Sequence, residues 1–344
     1  MMPRSSLVVL LVLAAGCSKD APPPVAQPGD APPVAPVTVD TSPAPSATPA
    51  AAAAADKPAL QEAQKPPPAP SPPPVVTYKG AFNHPESVLY DAAGDRYLVS
   101  NINGSPDAVD GNGYISELSP DGAIKTPKLI AGGEKDVKLD GPKGLAIVGK
   151  ELWVSDISVV RKFDLKTLAP KGEIKLPDTT FANDIAVAPD GKVYVSDSSV
   201  KATEKGFESN GGDQVLVIDK AGKVKALAKS KDLGAPNGIA FGPKGILVNT
   251  LMSNEVYHLN DKGEKTDVIK MPNGGLDGLL VVGDNLICSS WGASAVYKGK
   301  LGGTSYEPII QNVKGPADIG WDSKRSRVLI PRFMDDQVEA YDVK

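Results

Sequence analysis

The stretch that decides the fold is Phe181-Ala182-Asn183-Asp184-Ile185-Ala186-Val187-Ala188-Pro189-Asp190-Gly191-Lys192-Val193-Tyr194-Val195-Ser196-Asp197. It contains a short apolar strand over 185–188, a Pro-Asp-Gly turn, and a second strand over 193–196 that is rich in β-branched residues. Asn183 stands where the first strand begins. The stretch therefore predicts two antiparallel strands joined by a tight turn.

The same unit recurs along the chain from residue 76 onward. Its six copies open at Pro85-Glu86-Ser87, Pro142-Lys143-Gly144, Ala182-Asn183-Asp184, Pro236-Asn237-Gly238, Leu276-Asp277-Gly278 and Pro316-Ala317-Asp318. The second residues of these copies follow one another at intervals of 57, 40, 54, 40 and 40 residues. A period of about 40 residues with four short strands per copy predicts an all-β, six-bladed β-propeller of four-stranded antiparallel blades. A β-sandwich is the alternative, but sandwiches do not repeat at this spacing.

The last copy has room for only three strands between Ala317 and Lys344. Because an unpaired blade edge is a liability, we expect residues 76–82 to supply the outer strand of the last blade and close the ring. The two long intervals come from insertions at 101–113 and 198–212. Both lie between a second and a third strand, so we expect both to border the mouth onto which the blade openings converge.

The first residues predict a targeting signal, and a proline-rich stretch follows it. Arg4, the apolar run 7–13 and the small residues 14–16 precede Cys17, which is typical of a lipoprotein signal peptide over 1–16 with a lipidated Cys17. Of the 33 prolines, 18 lie between 17 and 75, so this stretch is expected to be a disordered linker. The remaining residues, 76–344, form the propeller. An ordinary secretory signal is the alternative. We expect the body to lie in the periplasm, anchored to a bacterial membrane, and Ser18 is compatible with the outer membrane.

Charge argues against a nucleic-acid partner, and cysteine content argues against an intramolecular disulfide. The net charge of −4 is too weak to indicate a nucleic-acid partner. Cys288 is the second of two cysteines, so with Cys17 lipidated it has no partner for an intramolecular disulfide. We expect a monomer.

Side chains at the blade openings meet beside the central channel of a propeller, although they lie far apart in sequence. Four opening positions carry oxygen donors, and these are Glu86, Asn183, Asn237 and Asp277. Two carboxylates and two amide carbonyls suit a hard divalent cation, for which Ca²⁺ is the best match. Each of these residues alone is equally explained by turn geometry, since Asn-Gly and Asp-Gly are turn dipeptides. Further candidates for contact with the substrate or with the ligands are Lys143, Asp184, Asp318, Asn101 and Trp291.

The openings as a set resemble the SMP-30/gluconolactonase family of six-bladed, calcium-dependent propellers. The resemblance covers residues 76–344 and rests on Pro85-Glu86-Ser87, Phe181-Ala182-Asn183-Asp184, Pro236-Asn237-Gly238-Ile239-Ala240 and Leu276-Asp277-Gly278. It implies hydrolysis of a lactone or related ester, with Asp277 as both ligand and general base. Phe181 departs from the pattern, because the sugar-acid lactonases tend to carry an arginine there. Gluconolactone is therefore not the expected substrate. A non-catalytic propeller that binds a ligand or protein around a structural cation is the alternative function.

Overall fold

The computed structural model describes residues 70–343, which form six four-stranded antiparallel sheets and one two-stranded hairpin. The innermost strands of the six sheets contact one another in sequence order, and the last returns to the first. The all-β, six-bladed propeller predicted from the repeat is therefore confirmed. The signal peptide, Cys17 and nearly all of the predicted linker lie outside the described residues.

The first three blades follow one another in the chain. Blade one contains β2 (Pro85–Asp91), β3 (Arg96–Asn101), β4 (Tyr114–Leu118) and β5 (Ile124–Ala131). Blade two contains β6 (Pro142–Val148), β7 (Glu151–Asp156), β8 (Val159–Asp164) and β9 (Pro170–Lys175). Blade three contains β10 (Ala182–Val187), β11 (Val193–Asp197), β14 (Gln214–Ile218) and β15 (Val224–Lys229), and the separate hairpin contains β12 (Val200–Thr203) and β13 (Gly206–Ser209).

The remaining blades complete the ring. Blade four contains β16 (Pro236–Gly242), β17 (Gly245–Thr250), β18 (Glu255–Leu259) and β19 (Lys265–Lys270). Blade five contains β20 (Leu276–Val282), β21 (Asn285–Ser290), β22 (Ala295–Lys300) and β23 (Tyr306–Gln311). Blade six contains β24 (Gly320–Asp322), β25 (Arg327–Arg332), β26 (Gln337–Asp342) and β1 (Val76–Lys79). Two single-turn 3₁₀ helices occur at Lys231–Leu233 and Phe333–Asp335.

The ring is closed by the N-terminal strand, as the short last copy predicted. β1 pairs antiparallel with β26, from Val76 opposite Ala340 to Lys79 opposite Gln337. Tyr78 is 1% exposed, and its hydroxyl donates to the carbonyl of Ser119 in blade one at 2.7 Å. The contacts begin before the predicted boundary at 76, since the Ser71 hydroxyl accepts from the Gln311 amide at 2.6 Å. The strand therefore joins blade six to blade one as well as covering an edge.

The hydrophobic core is divided among the seams between neighbouring blades. Six buried apolar clusters each combine residues of two consecutive blades, including the pair formed by blades six and one. Cys288 lies in the seam between blades four and five and is fully buried. Because each blade shares its core with both neighbours, the propeller is stabilised as a closed ring.

The innermost strand of blade six is shorter than the repeat predicts. Regular pairing begins only at Gly320, whereas Pro316 and Asp318 make isolated bridges to Arg332 and Ser87. The Asp318 amide donates to the carbonyl of Glu86 at 2.8 Å, so this backbone is used to join the last blade to the first. Among residues 70–343, no helix is long and apolar enough to cross a membrane.

Candidate functional site

The opening residues of blades one to five share a β-bulge. In each blade the pairing of the first strand with the second shifts directly after the first paired residue, for example between Ala182 and Ile185 in blade three. The two residues in between are therefore outside the ladder, which re-aims their side chains. The members of these bulges that face the channel are Glu86, Lys143, Asn183, Asn237 and Asp277. The bulge explains why the opening position can vary while the strands around it do not.

A ring of small polar side chains on the second strands supports the bulges. Its members are Ser100, Ser155, Ser196, Asn249 and Ser289, all fully buried. The hydroxyl of Ser196 shows the pattern, since it accepts from the amide of Asp184 in its own blade at 2.9 Å and donates to the carbonyl of Asn237 in the next at 2.6 Å. Asn249 and Ser289 make the equivalent pair of contacts. Pro331 occupies this place in blade six. We call Ser100, Ser155, Ser196, Asn249 and Ser289 the linchpin ring.

The opening residues line one small cavity at the mouth of the channel. Its volume is about 30 Å³, which is enough for a water molecule or a single ion. The polar side chains that line it are Glu86, Lys143, Asn183, Asn237 and Asp277. The rest of its lining is an apolar collar, which consists of Ile102, Pro106, Phe181, Phe207, Leu251, Trp291 and Phe333. All four predicted metal ligands are thus brought together.

Three buried oxygen atoms of these residues have no hydrogen-bond partner. They are Oε2 of Glu86, Oδ1 of Asn237 and Oδ1 of Asp277. An unpartnered buried oxygen is costly, and native proteins contain few of them. Three of them, from blades one, four and five, line the same cavity. Such a group of acceptors without donors is suited to a positively charged ligand.

Hydrogen bonds orient the amides and the carboxylate. The Asn237 Nδ2 atom donates to the carbonyl of Leu276 at 3.1 Å, and the Asn183 Nδ2 atom donates to the Ser198 hydroxyl at 3.0 Å. These bonds fix which end of each amide carries the nitrogen, so each amide can offer its oxygen to a ligand. The Trp291 indole donates to Oδ2 of Asp277 at 2.8 Å, which leaves Oδ1 toward the cavity. The three side chains are therefore held in fixed orientations.

The channel carries more negative charge than its surroundings can stabilise. Burial raises the pKa of Glu86 well above its ordinary value, and the carboxylates of Asp277 and Asp318 add to the shift. Burial also raises the pKa of Asp277 to about 7 and that of Asp184 to about 6, and it raises the pKa of Asp318 strongly. Glu86, Asp184 and Asp277 are thus buried around the channel, and Asp318 is half-buried. Bound protons or a bound cation must balance them.

Lys143 is the one cation in the lining of this cavity, and its ammonium is already engaged. It is 1% exposed, and it donates to the carbonyls of Pro106 at 2.8 Å and Gly141 at 3.0 Å. Its Nζ atom also lies 4.3 Å from the centre of the Phe181 ring. Burial lowers the pKa of Lys143, whereas the Glu86 carboxylate opposes that shift. Lys143 therefore holds the insertion at 101–113 against the channel rather than presenting a free donor.

Three of the predicted contact residues do not line the cavity and bond to other parts of the protein. The amide group of Asn101 bonds to Asn83, Val99 and Ser116, and its side chain does not line the cavity. The Asp184 carboxylate accepts from the amides of Ile185 and Ile239, both at 2.6 Å. The Asp318 carboxylate accepts from the Ser87 hydroxyl. These carboxylates and amide join strands around the channel, which the sequence position alone does not reveal.

Both insertions border the mouth, as predicted, and they contact each other. The insertion at 101–113 places Ile102 and Pro106 in the collar, and the blade-three insertion forms the β12–β13 hairpin, which places Phe207 there. The Ala202 amide donates to the Asp107 carboxylate at 3.2 Å, which joins the two insertions. Phe207, Phe333 and Leu251 line the cavity although they lie outside the repeated blade openings. The alternation of apolar and polar residues on both sides of the turn after Thr203 is the sequence signal for the hairpin.

Metal-ligand clusters of another kind are absent from residues 70–343. No three His, Cys, Asp or Glu side chains there are grouped as metal ligands are. A cation at the mouth would therefore depend on two carboxylates together with two amide oxygens. That donor set fits a hard cation and not a soft transition metal.

Comparisons with known proteins show the fold. The sequence matches no protein-family model and no curated protein. A candidate gluconolactonase of known structure aligns with a TM-score of 0.57 and 17% identity, over 75% of this chain and 88% of that one. Virginiamycin B lyase from Staphylococcus aureus aligns with a TM-score of 0.54 and 16% identity, over 77% of this chain and 97% of that one. An inactive variant of that lyase, with a histidine replaced by alanine and quinupristin present, gives a TM-score of 0.50 and 16% identity over 76% and 95% of the two chains. This chain therefore has the fold of six-bladed propellers that include enzymes acting on small molecules.

Proposed function

We propose that the propeller is a hydrolase of a lactone or ester that uses a divalent cation, Ca²⁺ in the first instance. Glu86, Asn183, Asn237 and Asp277 would hold the cation. The observation that carries this proposal is the set of three buried, unpartnered oxygens around one cavity. The acidic channel and the fixed amide oxygens support it.

The residues of the cavity fit such a cation. A divalent cation in this place supplies Lewis-acid polarisation of the ester carbonyl and lowers the pKa of water. Asp277 presents Oδ1 to the cavity and is oriented by the Trp291 indole, which supports a role in taking a proton from the attacking water. Asn183 and Asn237 hold their oxygens toward the same space. The collar excludes bulk water from it.

The cavity favours hydrolysis over the chemistry of the lyase neighbour. That enzyme is inactive when a histidine is replaced by alanine. No histidine lies among the described residues that line the cavity of this chain. His84 stacks on the outer side of Phe333 at a ring distance of 4.7 Å, and its Nδ1 atom lies 3.2 Å from the carbonyl of Gly104. A carboxylate is therefore the base that the cavity offers.

Chelator-sensitive turnover tests the proposal. The purified protein would be assayed on a panel of lactones and aryl esters with Ca²⁺ and with excess EGTA. We expect turnover with Ca²⁺ only, and a loss of about 10²- to 10⁴-fold in kcat for Asp277→Asn. Asp190→Asn, in an exposed turn, is the matched control and should keep full activity. Turnover that persists in EGTA would contradict the metal dependence.

Metal content separates the hydrolase from the non-catalytic alternative. Elemental analysis after dialysis should find about one Ca²⁺ for each chain in the wild type and less in Glu86→Gln. Bound Ca²⁺ without turnover on any substrate would favour a binding propeller in which the cation is structural. Virginiamycin-type ligands and envelope proteins would then be tested as partners.

Anchoring by Cys17 is part of the same proposal. The lipoprotein-like start of the sequence favours a body held in the periplasm by lipid, most simply on the outer membrane. Labelled palmitate should be incorporated into the wild-type protein in cells and lost in Cys17→Ala. Membrane fractionation would show which membrane holds it, and gel filtration of a soluble form would check the expected monomer.

A further inference from the structure

The collar offers apolar surface and no free hydrogen-bonding group. Of the described residues that line the cavity, the only polar ones are the four candidate ligands and Lys143. An ammonium has three donor directions, and those of Lys143 are occupied by two carbonyls and the Phe181 ring. The Trp291 N–H is bonded to Asp277. A substrate group that lies against the collar, and not against the candidate ligands, would therefore find no side-chain partner for its hydroxyls.

Aromatic rings form two opposed parts of the collar. Phe181 and Phe207, both of blade three, meet edge to face with ring centres 5.7 Å apart. Trp291 and Phe333 lie 5.2 Å apart on the loops of blades five and six. Blade three is opposite blade six in a ring of six, so the two pairs face each other across the mouth. A flat apolar group fits between such pairs.

The rim above the collar is also apolar. Val109, Met252 and Met334 are 76%, 49% and 63% exposed, and they are three of the six large hydrophobic side chains exposed among the described residues. All three lie on loops between a second and a third strand, which is the mouth side of the ring. Met334 lies beside Gly315 and Trp291. Exposed methionines at a mouth are typical of surfaces that accept apolar ligands of varied shape.

Admission of a substrate requires the collar to widen. The space between its side chains is about 30 Å³, whereas pockets for small molecules are roughly ten times larger. Phe207 is carried by the β12–β13 hairpin, whose strands pair only with each other. The bond from the Ala202 amide to Asp107 joins this hairpin to the facing insertion. Outward movement of the hairpin would open the collar without disturbing a blade.

We propose that the substrate carries a flat or branched apolar group beside its carbonyl, as in an aryl-fused or alkyl-substituted lactone, and that it is not a polyhydroxylated sugar-acid lactone. This inference rests on the proposed function for the reaction and on the collar for the substrate class. Burying the hydroxyls of a sugar lactone against these rings would leave each without a partner, which is unfavourable. An aryl lactone has no hydroxyl groups, so burying it against the rings leaves no hydroxyl without a partner.

Matched substrates test the inference in the full chain with Ca²⁺. Dihydrocoumarin, glucono-δ-lactone and γ-butyrolactone would be compared by pH-stat titration, which follows the released acid in each case. We expect kcat/KM for dihydrocoumarin to exceed that for glucono-δ-lactone by about 100-fold or more. Phe207→Ala should lower kcat/KM for dihydrocoumarin about 10-fold and lower that for γ-butyrolactone, which has no apolar extension, by a smaller factor. Met252→Gln, at an exposed rim position, should act in the same direction with no risk to folding.

A binding measurement separates failure of the inference from failure of the proposed function. Isothermal titration in EGTA with α-tetralone, an aryl ketone that cannot be hydrolysed, should show binding that weakens in Phe207→Ala. If none of the three lactones is hydrolysed but α-tetralone binds in this way, the inference of an apolar ligand is supported and the proposed hydrolase activity is contradicted. Glucono-δ-lactone turned over as fast as dihydrocoumarin would overturn the inference and leave the hydrolase intact. Absence of α-tetralone binding, or binding that Phe207→Ala leaves unchanged, would overturn it as well.

Discussion

The Asp277 side chain is oriented by one hydrogen bond, yet one of its buried oxygens has no partner. One of its carboxylate oxygens accepts from Trp291, and the other has no partner although it is buried. A residue selected only for packing would have both oxygens satisfied. The contrast with Asp184 is instructive, since that carboxylate is equally buried but is bonded to two backbone amides. Partner counting therefore distinguishes a side chain that awaits a ligand from one that joins strands.

Removing the indole donor should impair catalysis more than folding. In Trp291→Phe the Asp277 carboxylate loses its orienting bond, so we expect kcat/KM to fall about 10- to 100-fold, in line with a lost bond to a charged group. Trp153→Phe is the matched control, because the Trp153 indole donates to Glu151 at 2.9 Å, outside the cavity lining. Equal losses of activity in the two variants would show that Trp291 has no special role.

His258 gives a pH dependence of stability that can be isolated by mutation. Burial lowers the pKa of His258 in the folded protein, so the unfolded chain binds more protons near pH 6. Above the unfolded pKa of about 6.5, titration of His258 does not affect the free energy of unfolding. As the pH falls through that value, protonation of the unfolded chain lowers the free energy of unfolding. We expect the difference in unfolding free energy between pH 7.5 and pH 5 to be smaller in His258→Gln than in the wild type, as measured by urea denaturation. An unchanged difference would contradict the assignment.

At the scale of elements, the opening bulge and the linchpin ring act as one device. The bulge turns two residues out of the ladder, and a small polar side chain of the second strand takes up the freed amide and bonds to the next blade. Function can thus change at the opening position without loss of the strand that carries it. Blade six has Pro331 in place of a linchpin residue and lacks a ligand at Ala317.

Loss of one residue of the linchpin ring should lower the free energy of unfolding. Ser196→Ala leaves the Asp184 amide and the Asn237 carbonyl buried without their side-chain partner, which we expect to lower the free energy of unfolding by about 1–3 kcal/mol. Ser305→Ala, at an exposed position that bonds to Glu307, should change it by less than about 0.5 kcal/mol. Chemical denaturation of both variants measures the difference. A Ser196→Ala variant as stable as the control would show that the ring is not needed.

The sequence predicts the blades and the converging positions, but not which polar groups are satisfied. The period near 40 residues reveals the ring because every copy repeats the same two strands, and the four ligand candidates follow from their shared place in the copy. Asn101 could not be excluded from the site in this way, because its partners lie on neighbouring strands and in a loop. The collar was equally hidden, since Phe207, Leu251 and Phe333 come from connections that do not repeat. Hydrogen-bond satisfaction and loop packing depend on three-dimensional neighbours, which a repeat does not encode.

At the scale of the whole molecule, closure by β1 decides stability. Deleting residues 76–82 removes the four residue pairs between β1 and β26 and the buried Tyr78, and it exposes the edge of β26. We expect Tm to fall by more than about 10 °C and aggregation to increase. Deleting 18–69 instead should leave Tm within about 2 °C, because the closing strand is kept. Differential scanning calorimetry of the two truncated forms checks this, and equal Tm values would show that closure does not limit stability.

The three unpartnered oxygens come from residues 86, 237 and 277, so the first and last of them are 191 positions apart (277 − 86). No contiguous fragment that lacks blade one or blade five can contain them all. A fragment that lacks blade one or blade five would therefore give no signal in an assay of the proposed calcium site. If the proposed calcium site is correct, calcium binding would therefore report on folded chains alone.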